Sequence, residues 1–330
     1  MTTALVVGSV HMDLIATAEV LPTPGASVTG DSFTRTPGGK AGNQAVQLAR
    51  LGIPTSLAAR VGSDRFGDEL LAAMSDNGVD TCVVVRDPDL PTGASTVLAA
   101  AGEYLSIIVP GASAALRRSD LYDIPAVVEI VLTQLELPAD VSSMVAGWAT
   151  EHGVPLVLNA SPLPALLDAH LGQTLASAHT VAVNRAEASL LAGRDVASAP
   201  DAHLAAEAIM ARFGVEVVLV TLGSAGALCR HPAGIDYHPG WPVRVVDTVG
   251  SGDAFLAAFV ASRLEGRSIP LALERATAAG ALACTRPGAL AGLASSAELD
   301  AFQARGPIYR NLSRGSQPKK IRQKPIRGRT

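Results

Sequence analysis

Short strand-like runs of apolar residues alternate with helical runs over the second half of the chain, and this alternation constrains the fold most. The strand-like runs lie at 130–132, 156–158 and 217–220, and the helical ones near 139–152, 163–171 and 201–213. An earlier run, Leu5-Val6-Val7-Gly8, has the composition of a buried strand. Strands that alternate with helices are typical of a mostly parallel sheet covered by helices. The sequence therefore predicts an α/β fold.

Two further stretches, 15–35 and 94–109, have a short alternating pattern of apolar and polar residues. This pattern is typical of strands with one exposed face. The two stretches are able to pair as a small sheet that is separate from the main one.

Length and composition indicate a large core. With 330 residues, the chain is long enough for one large α/β domain or two smaller ones. Hydrophobic residues make up 48% of the chain and aromatic residues only 4%. We therefore expect a core built mostly from alanine, valine and leucine.

The cysteines and the apolar runs indicate a compartment. Cys82, Cys229 and Cys284 have no metal-ligand spacing, and their odd number argues against a disulfide framework. The first residues contain no basic segment followed by an apolar stretch, as a signal peptide would. Alanine-rich runs such as 254–261 fall short of the roughly 20 apolar residues that cross a bilayer. These features predict a cytoplasmic protein with no membrane partner.

Positive charge is concentrated at the C-terminal end of the chain. Residues 305–330 hold nine Lys or Arg and no Asp or Glu, which leaves 17 basic against 30 acidic residues in the rest. The segment has no helical period, so we expect a disordered basic tail. A basic tail is able to bind nucleic acid. However, aromatic residues are not interleaved with its charges as a base-stacking platform requires, so a solvated extension is the simpler interpretation.

Residues 247–253, Asp-Thr-Val-Gly-Ser-Gly-Asp, open an apolar run with the composition of a buried helix. The glycines let backbone N–H groups turn toward one point, and with the positive helix end they make an anion site. Asp253 lies beside this site, where its charge would repel an anionic ligand. Its position is explained if the carboxylate takes a proton from a hydroxyl that attacks a phosphoryl group. The alternative is a Gly-Ser turn whose aspartate only complements the helix dipole.

A second glycine-rich stretch, 36–44, precedes a helix that is predicted to end near Leu51. Lys40, Asn43 and Gln44 crowd the first turn of that helix. Glycines beside them let a ligand approach the backbone closely. A solvated turn would explain the glycines, but it would not explain why a lysine and two amides converge there.

Polar residues and a glycine follow the predicted strands. Ligands of parallel sheets collect at the carboxyl ends of the strands, so these positions indicate a cleft. They are Asp13 after the first strand, Glu136 after 130–132, Asn159 after 156–158 and Gly223 after 217–220.

Together these segments resemble the ribokinase-like (PfkB) carbohydrate kinases. That family carries a Gly-Gly-rich sugar segment near the N-terminus and a Gly-x-Gly-Asp segment near the C-terminus. Here the two segments are Gly38-Gly39-Lys40-Ala41-Gly42-Asn43 and Asp247-Thr248-Val249-Gly250-Ser251-Gly252-Asp253. Further matching segments lie at 8–13, 134–136, 184–187, 221–226 and 285–289. The resemblance covers about residues 4–304, and the motifs are nearest to those of the ribokinases proper.

The resemblance implies a domain organisation. It implies a three-layer sandwich with a central, mostly parallel sheet, plus a small β-sheet lid over the sugar from about 15–35 and 94–109. A single kinase domain would span 1–304 and would be followed by the tail at 305–330. Ribokinases pair through their lids, so the resemblance also implies a homodimer.

The resemblance further implies ATP-dependent phosphorylation of a sugar hydroxyl, most closely the conversion of D-ribose to D-ribose 5-phosphate. Asp253 would be the catalytic base. The N–H groups of Gly250, Ser251 and Gly252 would hold the charge on the transferred phosphoryl group. The sugar would be bound by Asp253 together with His11, Asp13, Gly39, Lys40, Asn43 and Glu136. From the residues alone, Asp13 also fits a loop turn, and Glu136 also fits a surface charge at a strand end.

The resemblance also implies sites for ATP, Mg²⁺ and K⁺. ATP would contact Asn184, Thr221, Gly223, Gly226, Gly252 and Thr277. Glu187 would hold Mg²⁺ through water, because this ion keeps much of its water and takes few carboxylates. Asn184 and Glu187 also form a helix capping box, and the two roles are compatible. The activating K⁺ would be held by Asp247 and mostly by backbone carbonyls, at Val249, Ala283, Arg286, Gly288 and Gly292.

Several positions depart from the ribokinase pattern. His11 stands in place of asparagine, Ala41-Gly42 in place of Gly-Ala, Thr277 in place of Asn or His, and Gly292 in place of serine. The first two concern the sugar, so deoxyribose, a ketohexose and adenosine stay open as alternative substrates.

Two other classes of protein are alternatives to a sugar kinase. A non-catalytic sugar-binding regulator on the same fold is an alternative, which the presence of Asp253 disfavours. A nucleotide oxidoreductase would need Gly-x-Gly-x-x-Gly after the first strand, which Gly8-Ser9-Val10-His11 does not provide.

Overall fold

The structure is a computed structural model that describes residues 3–100, 103–124, 127–164 and 166–306. Its strands, in chain order, are β1 (Ala4–Val7), β2 (His11–Thr17), β3 (Ser32–Gly38), β4 (Thr55–Ala58), β5 (Arg60–Gly62), β6 (Val85–Asp87), β7 (Gly93–Ala100), β8 (Glu103–Val109), β9 (Ile130–Gln134), β10 (Leu156–Asn159), β11 (Thr180–Asn184), β12 (Val217–Thr221), β13 (Ala227–His231) and β14 (Gly234–His238). Its α-helices are α1 (Lys40–Arg50), α2 (Arg65–Asp76), α3 (Ala139–Glu151), α4 (Ala169–Ser177), α5 (Arg185–Ala192), α6 (Ala199–Phe213), α7 (Ser251–Leu264), α8 (Ile269–Ala283), α9 (Ala289–Gly292) and α10 (Ser296–Arg305).

The large sheet has the strand order β14-β13-β12-β11-β10-β9-β1-β4. The six strands from β12 to β4 run parallel, and β13 and β14 are antiparallel at one edge. The mostly parallel sheet that the sequence predicts is therefore confirmed. The carboxyl ends of the parallel strands lie along one edge of the sheet, where the polar residues that follow them meet.

Helices cover both faces of the large sheet. In β1, Ala4 and Val6 join a core cluster with α1, α2, α7 and α8, whereas Leu5 and Val7 join a second cluster with α3 to α6. Successive residues of a strand point to opposite faces, so the two clusters lie on opposite sides of the sheet. The predicted three-layer sandwich is confirmed, and alanine, valine and leucine dominate both cores.

A smaller sheet has the strand order β3-β2-β7-β8. The second predicted stretch, 94–109, coincides closely with β7 and β8. The first stretch, 15–35, is wrong in its middle: β2 starts earlier, at His11, and residues 18–31 between β2 and β3 form no strand. This segment contains Pro22 and Pro24, which have no N–H group for a ladder hydrogen bond. Asp13 consequently lies within a strand of the small sheet, instead of in a loop after β1.

The helix predicted near 163–171 is misplaced. α4 begins at Ala169, one residue after Asp168, whose side chain accepts a 2.8 Å hydrogen bond from the Leu171 N–H. Pro162 and Pro164 precede this point, and each proline disfavours the helical conformation of the residue before it. The helices predicted near 139–152 and 201–213 correspond to α3 and α6.

The tail was predicted to begin at 305, but Arg305 is the last residue of α10, and residues 307–330 lie outside the described residues. Within the described ranges, no helix is long and apolar enough to cross a membrane.

Candidate active site

A cavity of about 900 Å³ lies between the small sheet and the carboxyl ends of the large sheet. Most of the predicted site residues line it, namely His11, Asp13, Gly39, Lys40, Asn43, Glu136, Asn184, Glu187, Thr221, Asp247, Val249, Gly250, Ser251, Gly252 and Asp253. Residues that are far apart in the chain are therefore brought to one place.

A second cavity, of about 440 Å³, adjoins the first and shares Thr221, Ser251 and Gly252 with it. The predicted nucleotide residues Gly223, Gly226 and Thr277 line only this second cavity, together with apolar residues such as Trp241 and Val243. Four residues predicted for K⁺ line neither cavity: Ala283, Arg286, Gly288 and Gly292.

Asp253 lies in the first turn of α7, at the boundary between the two cavities. Gly250 is the N-cap of this helix and has a φ of 76°, a conformation that favours glycine. The N–H groups of Gly252 and Asp253 belong to the first turn, where an α-helix supplies no backbone acceptor. They and the positive end of the helix dipole make this point attractive to an anion.

The Asp253 carboxylate is buried and held by three amides. Asn43 Nδ2 donates to Oδ2 at 2.9 Å, Gln44 Nε2 donates to Oδ1 at 2.9 Å, and Asn159 Nδ2 approaches Oδ1 at 3.4 Å. Burial raises the pKa of Asp253, and the positive charge of Lys40 and the amides of Asn43 and Gln44 offset this only in part. A buried carboxylate with a raised pKa in a cleft is suited to accept a proton.

The small sheet presents Asp13 to the cavity. Ser95 on the adjacent strand donates a hydrogen bond to Asp13 Oδ1, and His11 Nε2 lies 3.2 Å from the same oxygen. Burial alone would lower the pKa of His11, but the hydrogen bond with Asp13 and the charge of Glu136 outweigh it, so the pKa is raised. The imidazolium form of His11 is therefore favoured beside Asp13.

Glu136 follows β9 and braces the start of α1. Its Oε2 accepts a 2.9 Å hydrogen bond from the Lys40 N–H and a second hydrogen bond from the Ser9 hydroxyl. It is thus bonded to the segment after β1, and it also lines the cavity. The surface-charge interpretation of Glu136 does not fit these contacts.

Asn184 and Glu187 form the capping box of α5. Asn184 Oδ1 accepts from the Glu187 N–H at 2.9 Å, and Glu187 Oε2 accepts from the Asn184 N–H at 2.8 Å. Glu187 is buried and also lines the large cavity. No cluster of three or more histidine, cysteine or acidic residues suited to a metal occurs in the described part of the chain. A single carboxylate fits Mg²⁺ held mainly by water and by nucleotide phosphates.

Asp247 ties the α7 loop to the segment before α9. Its Oδ1 accepts from the Val249 N–H at 3.0 Å, and its Oδ2 accepts from the Gly288 N–H at 2.8 Å. Gly292 of α9 packs against the end of α8, so a Cβ at Gly292 would lie 2.6 Å from the Ala283 carbonyl oxygen. Of the residues predicted for K⁺, Asp247 is thus linked to Val249 and Gly288, and Gly292 lies against Ala283, while the Gly288 carbonyl already accepts a hydrogen bond from the Gly292 N–H at 3.3 Å.

Thr277 lines the smaller cavity, but its hydroxyl is occupied by protein groups. It accepts a hydrogen bond from Trp241 Nε1 at 3.2 Å, donates to the Glu274 carbonyl at 2.8 Å, and lies 2.9 Å from His238 Nδ1. A hydroxyl offers one donor and two acceptor positions, so these three contacts use its capacity. Any contact of Thr277 with a nucleotide base would therefore be apolar.

The roles of three polar residues were not predicted, although the sequence placed Gln44 among the residues that crowd the start of α1 and Asn159 in a cleft. Gln44 and Asn159 bond Asp253, and Gln134 donates from Nε2 to Gln44 Oε1 at 2.7 Å. Gln44 and Gln134 are almost completely buried, with exposed fractions of 0% and 1%. A glutamine at the end of an otherwise apolar strand, as in Ile130–Gln134, was the available signal, since buried amides need partners.

A family model, described as pfkB family carbohydrate kinase, matches residues 1–295 of the chain. This protein belongs to the pfkB family of carbohydrate kinases. The resemblance that the motifs indicate is therefore confirmed, and the protein is a sugar kinase.

Named relatives of this carbohydrate kinase include ribokinases. It is 32% identical over 300 residues to "Ribokinase" from Bacillus subtilis (strain 168), covering 89% of this chain and 97% of the relative. It is 28% identical over 288 residues to "Deoxyribokinase" from Salmonella typhi, covering 86% and 92%. Among solved structures, "Structure of Arabidopsis thaliana Ribokinase complexed with Ribose and ATP" superposes with a TM-score of 0.82 at 30% identity, covering 92% of this chain and 99% of that one.

Proposed function

We propose that this carbohydrate kinase transfers the γ-phosphoryl group of ATP to the 5-hydroxyl of D-ribose. Its similarity to ribokinases, one of them solved with ribose and ATP, supports this substrate pair. The observation that carries the proposal is the position of Asp253. Its buried carboxylate lies in the first turn of α7, in the same cavity as Asp13 of the small sheet.

Asp253 is the proposed catalytic base. A sugar hydroxyl that attacks a phosphoryl group must lose its proton, and a carboxylate at hydrogen-bond distance accepts it. The backbone N–H groups at Gly250 and Gly252 are proposed to hold the negative charge that develops on the transferred group, whereas the Ser251 N–H, also expected there, already donates to the Thr248 carbonyl at 3.2 Å. Base and anion site are adjacent in sequence, so the same turn of α7 would serve both ends of the transfer.

The sugar is proposed to bind between the small sheet and the start of α1. Asp13 on the small sheet and Glu136 beside the start of α1 supply acceptors, and Lys40 and Asn43 lie in the first turn of α1. Carboxylates and amides suit a polyol, because they present directional donors and acceptors. Gly39 and His11 complete the wall. The His11 side chain already contacts Asp13, with Nε2 at 3.2 Å from Oδ1, so it is a candidate for tuning which sugar is accepted.

ATP is proposed to occupy the smaller cavity with its base and to reach α7 with its phosphates. Thr221, Gly223, Gly226 and Thr277 line the smaller cavity, and Gly252 and Asn184 line the larger cavity, into which the phosphates would extend. Glu187 would hold the water shell of Mg²⁺, which would offset the phosphate charge. Asp247 and the carbonyls of Val249, Ala283, Arg286, Gly288 and Gly292 are the proposed K⁺ site.

We also propose that the kinase domain spans 1–304, that the protein acts in the cytoplasm, and that two copies pair through the small sheet. The odd number of cysteines supports the reducing compartment. Exposed apolar residues on the sheet support the pairing, and these include Phe33, Leu105 and Ile107. A nucleic-acid partner is not proposed.

A coupled assay of ADP release, with ATP and a panel of sugars, tests the function. D-ribose is expected to give the highest kcat/KM, ahead of 2-deoxyribose, fructose and adenosine. The relative named deoxyribokinase and the departure at His11 make 2-deoxyribose the second candidate. If none of these acceptors leads to release of ADP, although sugar binding is measurable, the alternative of a non-catalytic regulator is supported.

A further inference from the structure

Two buried glutamines form a chain of hydrogen bonds that ends at Asp253. Gln134 Nε2 donates to Gln44 Oε1 at 2.7 Å, and Gln44 Nε2 donates to Asp253 Oδ1 at 2.9 Å. Gln44 lies in α1, Gln134 is the last residue of β9, and Asp253 lies in α7. The chain therefore joins a helix and a strand end to the proposed base.

The donor-to-acceptor direction of these two hydrogen bonds is fixed by Asp253 at one end and Gln134 at the other. The two ends of an amide have nearly the same shape, so Gln44 would fit with either its oxygen or its nitrogen toward Asp253. An ionised carboxylate only accepts hydrogen bonds, which requires the nitrogen of Gln44 to face it. Gln134 enforces this orientation, because its own N–H donates to the oxygen of Gln44.

The position of Gln134 requires a glycine beside it and leaves the Gln134 oxygen without a hydrogen-bond partner among the described residues. A Cβ on Gly8 would lie 2.1 Å from Gln134 Oε1, so this side chain depends on a glycine directly after β1. Gln134 Oε1 is itself buried without a hydrogen-bond partner among the described residues. An unpaired buried acceptor is unfavourable, and its presence indicates that the other end of the amide serves a purpose.

We propose that Gln44 and Gln134 are a positioning pair that keeps the Asp253 carboxylate ionised and aimed at the sugar hydroxyl. This inference rests on the proposed role of Asp253 as the base. Gln44 supplies a hydrogen bond to the charged form, which favours ionisation in a site where burial opposes it. Gln134 acts only through Gln44. Because Gln44 bonds Oδ1 and Asn43 bonds Oδ2, the carboxylate is also held at both oxygens and its rotation is restricted.

Other charged groups face Asp253 from several elements. Lys40 in α1 favours its charged form, and Glu136 after β9 opposes it. His11 and Asp13 of β2 line the same cavity. Replacing either glutamine leaves all four in place, so a change in the titration of Asp253 in such a variant reports on the amide chain.

The test compares Gln44→Met, Gln134→Met and the double variant. Methionine is similar in length and flexibility but has no amide. We expect Gln44→Met to shift the acid limb of the kcat–pH profile upward by about one to two pH units, the value of a hydrogen bond to a charged group. At a pH below that limb, kcat should fall about 10- to 100-fold, while KM for the sugar changes less. Gln134→Met should shift the limb in the same direction but less.

The double variant should behave like Gln44→Met, since Gln134 acts through Gln44 and their effects are not additive. Gln47→Met is the matched control. Gln47 lies in the same helix, is equally buried, and bonds the Ala294 backbone with both ends of its amide, at 2.8 and 3.1 Å. It should lower the melting temperature without moving the acid limb.

An unchanged acid limb in Gln44→Met, an equal shift in Gln47→Met, or additive effects in the double variant would each overturn the positioning pair. Asp253→Asn separates this failure from failure of the proposed function. If Asp253→Asn is inactive while Gln44→Met keeps the wild-type limb, only the positioning pair is wrong.

Should Gln44→Met fail to fold, Gln44→Glu keeps the shape, and its oxygen beside Asp253 should move the limb upward. A Gln44→Glu enzyme with an unmoved limb would reject the inference equally.

Discussion

Asn43 Nδ2 donates a 2.9 Å hydrogen bond to Asp253 Oδ2, while the oxygen of the same Asn43 amide is buried without a hydrogen-bond partner among the described residues. Asn43 lines the large cavity. One end of the amide therefore holds the proposed base, and the other end is a buried acceptor, unpaired within the described part of the chain, at the edge of the cavity in which the sugar is proposed to bind. A single side chain would then set the distance between base and substrate, a distance on which proton transfer depends strongly.

Replacing Asn43 by leucine should impair both catalysis and sugar binding. The variant has a similar shape but lacks the donor to Asp253 and the acceptor for a sugar hydroxyl. We expect kcat to fall about 10- to 100-fold and KM for the sugar to rise, since a hydrogen bond to a charged group is worth that much. Asn159→Leu, which removes only a 3.4 Å contact with Asp253, should have a smaller effect on kcat. Steady-state kinetics in which KM is unchanged in Asn43→Leu would contradict the double role.

Replacing Asp253 by asparagine removes the proposed base but keeps the shape of the site. We expect kcat to fall by roughly two to four orders of magnitude, the usual contribution of general-base catalysis. Sugar binding, measured by calorimetry, should change modestly, because Asn43, Asp13 and Glu136 remain. Turnover close to that of the wild type would falsify the base assignment.

The sequence identified residues whose roles are indicated by their neighbours in the chain. It missed the roles of residues that depend on distant segments. Asp253 and Lys40 could be identified because glycines and a helix start beside them, all within a few residues, indicate a ligand. The role of Gln44 depends on Asp253 and Gln134, which lie about 210 and 90 positions away in the chain. Such partners meet only because β9, α1 and α7 converge at one edge of the sheet. Local patterns carry no information on which buried amide will find which acceptor.

Secondary structure was predicted well where hydrophobic periodicity decided it and poorly where proline did. The strands β1, β9, β10 and β12 of the large sheet are buried almost throughout and were recognised as apolar runs. The segment before α4 is also apolar, but Pro162 and Pro164 delay the helix until Asp168 caps it. In the small sheet, β7 and β8 lie where the second stretch was predicted, while Pro22 and Pro24 interrupt the first stretch.

The raised pKa of His11 predicts a pH-dependent contribution to stability. A histidine whose pKa is higher in the folded protein stabilises the fold fully below its unfolded value of 6.5, and this contribution is lost as the pH rises through the folded pKa. His11→Gln should therefore lower the unfolding free energy more at about pH 5.5 than at about pH 9. Urea denaturation at both pH values measures this difference.

The pairing with Asp13 supplies a check on the cause. In an Asp13→Asn background, the pH dependence of the His11→Gln effect should shrink, because the favourable contact with the carboxylate is gone. An effect of His11→Gln that is the same at both pH values would contradict a raised pKa.

Gly292 tests the proposed monovalent-cation site. A Cβ at this position would lie 2.6 Å from the Ala283 carbonyl oxygen, so Gly292→Ala must displace one of the proposed ligands. We expect wild-type rates to be higher in K⁺ than in Na⁺ or Cs⁺ at fixed ionic strength, and Gly292→Ala to need more K⁺ for half-maximal stimulation. Gly147→Ala is the control, because an added Cβ meets nothing within 4 Å there.

The outcomes for the two cations are independent. Equal wild-type rates in K⁺, Na⁺ and Cs⁺ would reject the monovalent site, whereas full activity in excess chelator would reject the role proposed for Mg²⁺ and Glu187.

The outer face of the small sheet predicts the mode of self-association. Phe33, Ala16, Leu98 and Leu105 lie in one cross-strand row, and Ile107 of β8 lies on the same face. Successive residues of a strand alternate between faces, so this face is opposite to the one that presents Asp13 to the cavity. Phe33 and Ile107 have exposed fractions of 67% and 70%, a large apolar exposure for a single sheet, and edge strands of this kind favour pairing.

We expect light scattering to give the mass of a dimer for the wild type and of a monomer for Ile107→Lys. Leu271→Lys, at an exposed position of α8, is the matched control and should stay dimeric. A wild-type monomer with full activity would rule out the dimer, and a dimer that survives Ile107→Lys would place the contact elsewhere on the molecule.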